Sequence, residues 1–388
     1  MNIEQINEIE HKIIQHRRFI HKNPELGFNE IETNKYISNC LNKLKIEHEI
    51  VCETGIVAII GDKEKYKDNC VAFRCEMDAL PVLEDTDLPY SSINQGVMHA
   101  CGHDMHIAML LGAAEIFQKK VENLKGCIKL IFQPSEEILP GGAKHMIKQN
   151  CLKNPTPKMI FAQHINPELE VGAFEASLNF ALASTCEIKI TINGKSTHGS
   201  TPHLGNDPIL VASNIINFSN SFLIRNNNPL EPAILSICAI NGGTVNNAFP
   251  TQVKMLGTLR TLNEENRDRI LDLWEKKVKL LCTVYDTSCC IDIVKGYPPV
   301  INNEKAFNIV KDSVIRLYGE NRFKMCPPKM WTEDFSYYAK EIPACFYFLG
   351  VKSDDQNNYS LHSNKLNPDE NAMKYGVALI LEIAKNFM

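Results

Sequence analysis

Between residues 55 and 164 short apolar runs alternate with helical stretches, and from about Ser184 a different order interrupts them. Apolar, β-rich runs at 55–61, 70–75, 127–133 and 159–164 are separated by helices predicted from Asp104 and from Gly142. Strands alternating with helices indicate a mainly parallel sheet covered on both faces. Ahead of them, Ile6, Ile9, Ile13, Ile14 and Ile20 recur at helical spacing until Asn23-Pro24 ends the helix, and a second helix spans about 30–45. In the interruption, residues 185–193 alternate apolar and polar, a helix spans 207–224, and strands follow at 234–241 and 252–262. Another helix covers 263–281 and a last strand 288–296. This βαββαβ order is ferredoxin-like. After Tyr297-Pro298-Pro299 the first order resumes, with a helix at 304–318, a strand at 345–350 and a final helix at 370–386. The expected fold class is α/β: a discontinuous, mainly parallel-sheet domain of residues 1–183 and 297–388 with a compact domain of 184–296 inserted. A chain of 388 residues has the length for two cores.

Hydrophobic content of 44% and charged content of 22% are those of a soluble globular protein. A net charge of −5, with both signs mixed along the chain, offers nucleic acid no basic stripe. No apolar run approaches the roughly 18 residues of a membrane span, and the polar start Met1-Asn2-Ile3-Glu4-Gln5 lacks a secretory apolar core. The expectation is a cytoplasmic protein with neither nucleic acid nor membrane as partner. Its fourteen cysteines are scattered, often in apolar strands (Cys186, Cys238, Cys345), as small hydrophobes in a reducing compartment would be.

Cys101 is the exception, because of its company. Met98-His99-Ala100-Cys101-Gly102-His103-Asp104-Met105-His106 holds one cysteine, three histidines and one aspartate in nine residues, just ahead of an apolar helical pattern. Cys101 and His103 are two apart, whereas neighbours on a helix face are three or four apart, so both are placed in the loop entering the helix. The first turn of that helix favours the negative charge of a bound thiolate or carboxylate. Structural zinc sites usually need two ligand pairs, and no second Cys-x-Cys or Cys-x-x-Cys pair of suitable spacing follows. The other ligands must then come from distant carboxylates and histidines, the composition of a catalytic site with a position open to water.

Three further clusters follow predicted strands, where open α/β sheets place their sites: Arg74-Cys75-Glu76-Met77-Asp78-Ala79-Leu80-Pro81, Gln133-Pro134-Ser135-Glu136-Glu137 and Ala162-Gln163-His164-Ile165-Asn166-Pro167. Near the end, Leu361-His362-Ser363 follows the last strand after a polar loop. On extended backbone Glu136 and Glu137 point in opposite directions, so one can bind metal while its neighbour faces the reacting water. An isolated Glu-Glu pair is ordinary surface, and a lone histidine an ordinary core or loop residue; the nine-residue cluster makes them candidates. Cys101, His103, Glu137, His164 and His362 are five ligands, too many for one catalytic ion with an open position. They suit a two-metal site bridged by the thiolate.

Over nearly its whole length the chain resembles the M20 family of metallopeptidases, in the amidohydrolase branch of hippurate hydrolases, N-acyl-amino-acid deacylases and auxin-conjugate hydrolases. The resemblance is carried by His21 to Phe28, Met98 to Asp104, and Gln133 to Glu137 followed by Gly141-Gly142-Ala143. It continues through Gly194 to Gly199, Pro202-His203, Asn241 to Thr244 with Asn247, Gly257 to Arg260, and Glu333-Asp334-Phe335. It implies the same five ligands for two divalent ions (zinc, manganese, cobalt or nickel) and makes Glu136 the general base. It also implies that the inserted domain is a lid and dimerisation domain of a homodimer. His198 would then reach the active site of the partner subunit and polarise the scissile carbonyl, while Asn247 and Arg260 hold the substrate carboxylate.

Two departures from the family pattern stand out. Arg74-Cys75-Glu76-Met77-Asp78 replaces the usual Arg-Ala-Asp-Met-Asp, and Glu76 is kept out of the ligand set because its extra methylene shifts whatever it supports. Ile138-Leu139-Pro140 replaces a shorter, glycine-containing link near the substrate pocket, which bears on the acyl-group preference. The expected activity is metal-dependent hydrolysis of an N-acyl amino acid to a carboxylic acid and a free amino acid. The alternatives are a dipeptidase or carboxypeptidase, since a dipeptide is itself an N-acylated amino acid, and a non-catalytic metal-binding protein, which would need neither base nor lid.

Overall fold

The structure is a computed structural model that describes residues 3–352 and 359–388; Met1, Asn2 and most of the polar loop ahead of Leu361 lie outside the described residues. The chain forms two compact units, Met1–Ala181 with Val300–Pro327 and Asp334–Met388, and Leu182–Pro299 with Pro328–Glu333. Its elements begin with α1 (Ile3–Lys22), α2 (Ile31–Lys43), β1 (Glu47–Val51), β2 (Gly55–Ile60), β3 (Cys70–Glu76), α3 (His103–Lys119), β4 (Cys127–Gln133) and α4 (Gly142–Lys148). There follow β5 (Met159–Glu170), β6 (Phe174–Ala176), β7 (Asn179–Leu182), β8 (Ser184–Asn193), α5 (Pro208–Asn226), β9 (Ala233–Asn241), β10 (Gln252–Thr261), α6 (Glu264–Val284) and β11 (Ser288–Lys295). The last are β12 (Val300–Asn302), α7 (Glu304–Tyr318), β13 (Phe323–Met325), α8 (Ser336–Glu341), β14 (Ala344–Lys352) and α9 (Met373–Ala384).

The first unit is built on an eight-stranded sheet ordered β1-β2-β4-β3-β5-β14-β6-β13. Its four central strands, β4, β3, β5 and β14, are parallel, and antiparallel β1, β2 and β6 flank them. β3 and β4 are buried at every position, which is why they read as continuous apolar runs instead of alternating ones. Helix α3 is buried from His103 to Phe117 and packs against α1, α9 and β3; it has no polar face because none meets water. Parallel register sets Glu76 of β3 beside Gln133 of β4, and Arg74 beside Ala162 of β5, so His164 lies level with Glu76. Thus the Glu76 and Gln133 strand ends gather near the first turn of α3. The predicted strand at 159–164 continues to Glu170, so His164 lies within β5 and not beyond it.

In the second unit the chain order is strand, helix, two strands, helix, strand, and the sheet order is β11-β8-β10-β9, antiparallel throughout. Along β8, Cys186, Ile188, Ile190 and Ile192 are buried while Glu187 and Lys189 are exposed, the period-two pattern of a sheet with one covered face. Asp207 caps α5 through the Ile209 N–H, and Asn263 caps α6 through the N–H groups of Glu265 and Asn266. The core between helices and sheet centres on Trp274 of α6, wholly buried, whose Nε1 donates to Ser219 Oγ of α5 at 2.9 Å. Trp274→Ala is expected to destabilise this unit by about 3–5 kcal/mol, read as a lowered urea midpoint. An unchanged midpoint would contradict the packing described.

No helix among the described residues is long and apolar enough to cross a membrane. None of the fourteen cysteines forms a disulfide.

Candidate metal centre

Gly102 sets the geometry of the nine-residue cluster. It precedes α3 with φ +87, and a Cβ there would lie 2.2 Å from Ile165 Cδ1, so only glycine fits. Cys101 stays in the loop, while His103 is the first residue of α3. Across from them His164 Nδ1 donates to the Ile165 carbonyl at 2.8 Å, leaving its Nε2 lone pair 3.5 Å from Cys101 Sγ. His103 is arranged the same way: Nδ1 donates to the Asp78 carbonyl at 2.9 Å, and the buried Nε2 has no hydrogen-bond partner. A ring nitrogen fixed by a second acceptor, with the other left bare, is the usual preparation of a metal-binding histidine.

His362 joins from the far end of the chain. Its N–H donates to the Ala100 carbonyl at 2.7 Å, which ties it to the Cys101 loop, and its Nε2 lies 3.4 Å from Glu137 Oε1. The donor atoms of Cys101, His103 and His164 all lie within 4.8 Å of one another, as do those of Cys101, Glu137 and His362. Cys101 belongs to both groups. His103, Glu136 and Glu137 form a third group by the same criterion.

Glu136 and Glu137 sit in a bend and not on the extended backbone expected from sequence. Asp78 explains how the bend is held: its two carboxylate oxygens accept the N–H groups of Glu136 and Glu137, each at 2.9 Å. Asp78 thus supports His103 through its carbonyl and both glutamates through its side chain. Sequence reasoning quoted this residue without giving it a role; its place two residues beyond the strand end was the one available signal.

Glu76 and His106 also approach His103, but their polar atoms are already used. Glu76 pairs with Arg74 through one oxygen and accepts His106 Nδ1–H at 2.7 Å through the other, while His106 Nε2 accepts the Ile165 N–H at 3.0 Å. Arg74 also reaches Asp334 at 2.7 Å, and this buried network braces the sheet beneath the donors. Asp104 accepts from Arg17 Nε at 3.1 Å and His21 Nδ1 at 2.9 Å, tying α3 to α1. His99 is buried and belongs to none of the donor groups.

The electrostatics of the pocket call for positive charge. Burial by itself would lower the His103 pKa, but the Asp78 hydrogen bond and the charges of Glu76, Asp78 and Glu137 raise it to about 10. Burial, then the charges of Glu137 and Glu136, push the Cys101 thiol well up. Burial keeps His164 neutral. Thiol, imidazole and carboxylate donors in an electronegative, water-poor pocket, with bare nitrogens aimed inward, fit divalent cations.

The remaining candidates belong to the second unit. His198 is exposed; its Nδ1 lies 2.7 Å from Ser200 Oγ and accepts the Ser200 N–H at 3.2 Å. Asn247 is nearby, its carbonyl accepting the Gly199 N–H at 2.7 Å. Arg260, half-buried on β10, donates to Thr332 Oγ1 at 2.8 Å and makes no ion pair among the described residues. Burial lowers its pKa.

A largely parallel α/β sheet with cysteine, histidine and carboxylate donors gathered at one place has the make-up of a metallohydrolase. The chain belongs to peptidase family M20/M25/M40, which residues 72–386 match. It is 36% identical over 388 residues to thermostable carboxypeptidase 1 of Saccharolobus solfataricus, covering 98% of this chain and 97% of that one. The crystal structure of Bacillus subtilis YXEP, a dinuclear metal binding peptidase of the M20 family, superposes with a TM-score of 0.82 at 30% identity, covering 97% and 98% of the two chains. The aminobenzoyl-glutamate utilization protein of Klebsiella pneumoniae, at 19% identity and a TM-score of 0.74 over 99% and 98%, shares the fold. Membership of this hydrolase family sets aside the non-catalytic alternative.

Proposed function

We propose that the chain hydrolyses the amide bond of N-acyl amino acids, acetyl, benzoyl or similar, to a carboxylic acid and a free amino acid. The observation that carries this reading is the two donor groups sharing Cys101, set beside Glu136 on backbone that Asp78 holds. Cys101, His103 and His164 would hold one divalent ion, and Cys101, Glu137 and His362 a second; zinc, manganese, cobalt and nickel all suit such donors. The dinuclear metal binding of the B. subtilis relative supports two ions. When bound they supply Lewis acidity, which brings the pKa of water toward about 7.

Glu136 takes the proton of the attacking water and later returns it to the leaving nitrogen. His198 accepts the Ser200 N–H on Nδ1, which leaves the ring proton on Nε2, and that N–H donates to the oxyanion as it forms. By family resemblance this histidine serves the partner subunit, residues 184–296 are the lid and dimerisation domain, and residues 1–183 and 297–388 the catalytic domain. Arg260, half-buried and in no ion pair among the described residues, holds the substrate carboxylate together with Asn247. Fourteen cysteines with no disulfide among them support a reducing, cytoplasmic setting.

The likeness to a carboxypeptidase favours one second reading, because the last residue of a peptide is also an N-acylated amino acid with a free carboxylate. The two differ in the acyl side: a free amino terminus needs a carboxylate partner there. Hydrolysis of acetyl-, benzoyl- and longer acyl-amino acids should be measured beside dipeptides, with and without added metal. Preference for the acyl amino acids supports the first reading and preference for peptides the second. No turnover of either by metal-loaded protein would overturn both.

A further inference from the structure

Metal binding and the base leave most of the motif from His21 to Phe28 without a role, together with the glutamate just after it. Glu30 is wholly buried. It stands at the start of α2 but does not cap it; Glu25 takes the Glu32 and Thr33 N–H groups at 3.1 and 2.9 Å. Glu30 instead reaches across the unit. One carboxylate oxygen accepts the Ser135 N–H at 2.8 Å and the other accepts the Thr54 hydroxyl at 2.8 Å.

Ser135 has φ +49, a left-handed conformation that residues with a Cβ rarely adopt and that persists only where the surroundings hold it. The hold is complete here. Its N–H is on Glu30, its carbonyl accepts the Gly142 N–H at 2.7 Å, and Gly27 packs so closely that a Cβ would lie 2.6 Å from Ser135 Oγ. The next two amides, of Glu136 and Glu137, are on Asp78. Three consecutive amides are therefore bound by two buried carboxylates from separate parts of the chain. Burial, then the charge of Asp78, push Glu30 up to about 7, so its charged form is disfavoured where it sits.

We propose that Glu30 is a positioning residue for amide hydrolysis: by holding the Ser135 amide it sets the backbone from which Glu136 addresses the water. This rests on Glu136 being the base. The test is steady-state kinetics of the metal-loaded full chain on the best substrate of the acyl-amino-acid and dipeptide panel. Glu30→Ala is expected to lower kcat about 10- to 100-fold, as a small misplacement of the base would, with KM and metal content nearly unchanged. Glu30→Gln keeps an acceptor for the Ser135 N–H, and its amide N–H can donate to the Thr54 hydroxyl, which rotates to accept, so turnover should stay within about threefold of the parent.

In a Glu136→Gln background Glu30→Ala should cause no further loss, because its effect passes through the base. An equal loss in both backgrounds, or equal damage from Glu30→Gln, would mean general structural harm and overturn the proposal. A disabled Glu136→Gln beside an unaffected Glu30→Ala overturns it alone; full turnover by Glu136→Gln overturns the base assignment and this proposal together. If Glu30→Ala does not fold, Thr54→Val removes the second tether of the carboxylate. A fall in kcat of about two- to fivefold, again absent in the Glu136→Gln background, is expected, and no fall overturns the proposal.

Discussion

Glu136→Gln is expected to lower kcat by about 10²- to 10⁴-fold, the range general acid–base groups contribute, while metal content stays unchanged. Gln is nearly isosteric and leaves the backbone N–H on Asp78, so the bend survives and what is lost is the capacity to take and return a proton. Glu137, one residue on, occupies the opposite role: its Oε1 is buried without a hydrogen bond and faces His362. The corresponding Glu137→Gln should reduce metal content as well as turnover. Full activity in Glu136→Gln would remove the base from the mechanism; loss of metal would make Glu136 a ligand.

Asp78→Ala should damage both stability and activity. The substitution strips two buried amides of their acceptor, each costing about 1–3 kcal/mol, and releases the bend that carries both glutamates. Turnover is expected to fall about 10- to 100-fold, the usual consequence of losing an outer partner of a metal site. Asp78→Asn keeps one carbonyl acceptor and should lie between parent and Ala. A wild-type melting temperature and wild-type kcat in Asp78→Ala would show that the backbone holds itself.

The strands were legible wherever burial left a pattern. β3 and β4, covered on both faces, read as apolar runs, and β8 as an alternation. β1, β6, β7, β12 and β13 went unseen: they are three to five residues long, too short for a period to show. At the site, the density around Cys101 announced metal chemistry, and Glu137, His164 and His362 could be matched to it by place and by resemblance. The tautomer of His103 depends on the Asp78 carbonyl, which only the fold brings near. The bend at Glu136 depends on a left-handed serine, which no local residue preference announces. Asp78 was in plain view, but a carboxylate beyond a strand looks the same in sequence whether it meets water or two amides. His106, left out of the five ligands in sequence, has both its nitrogens engaged in the fold.

The central claim is that the Cys101 donor groups form a two-ion centre for amide hydrolysis. It is tested most directly by stripping the full chain with a chelator, then titrating back zinc, manganese, cobalt or nickel while bound metal and amino-acid release are measured together. Stripped protein should be inactive, two equivalents should bind per chain, and hydrolysis should return as they do, with Cys101→Ser weakening both equivalents because both groups share the thiolate. Undiminished hydrolysis by fully stripped protein, or unchanged binding of both equivalents in Cys101→Ser, would contradict it.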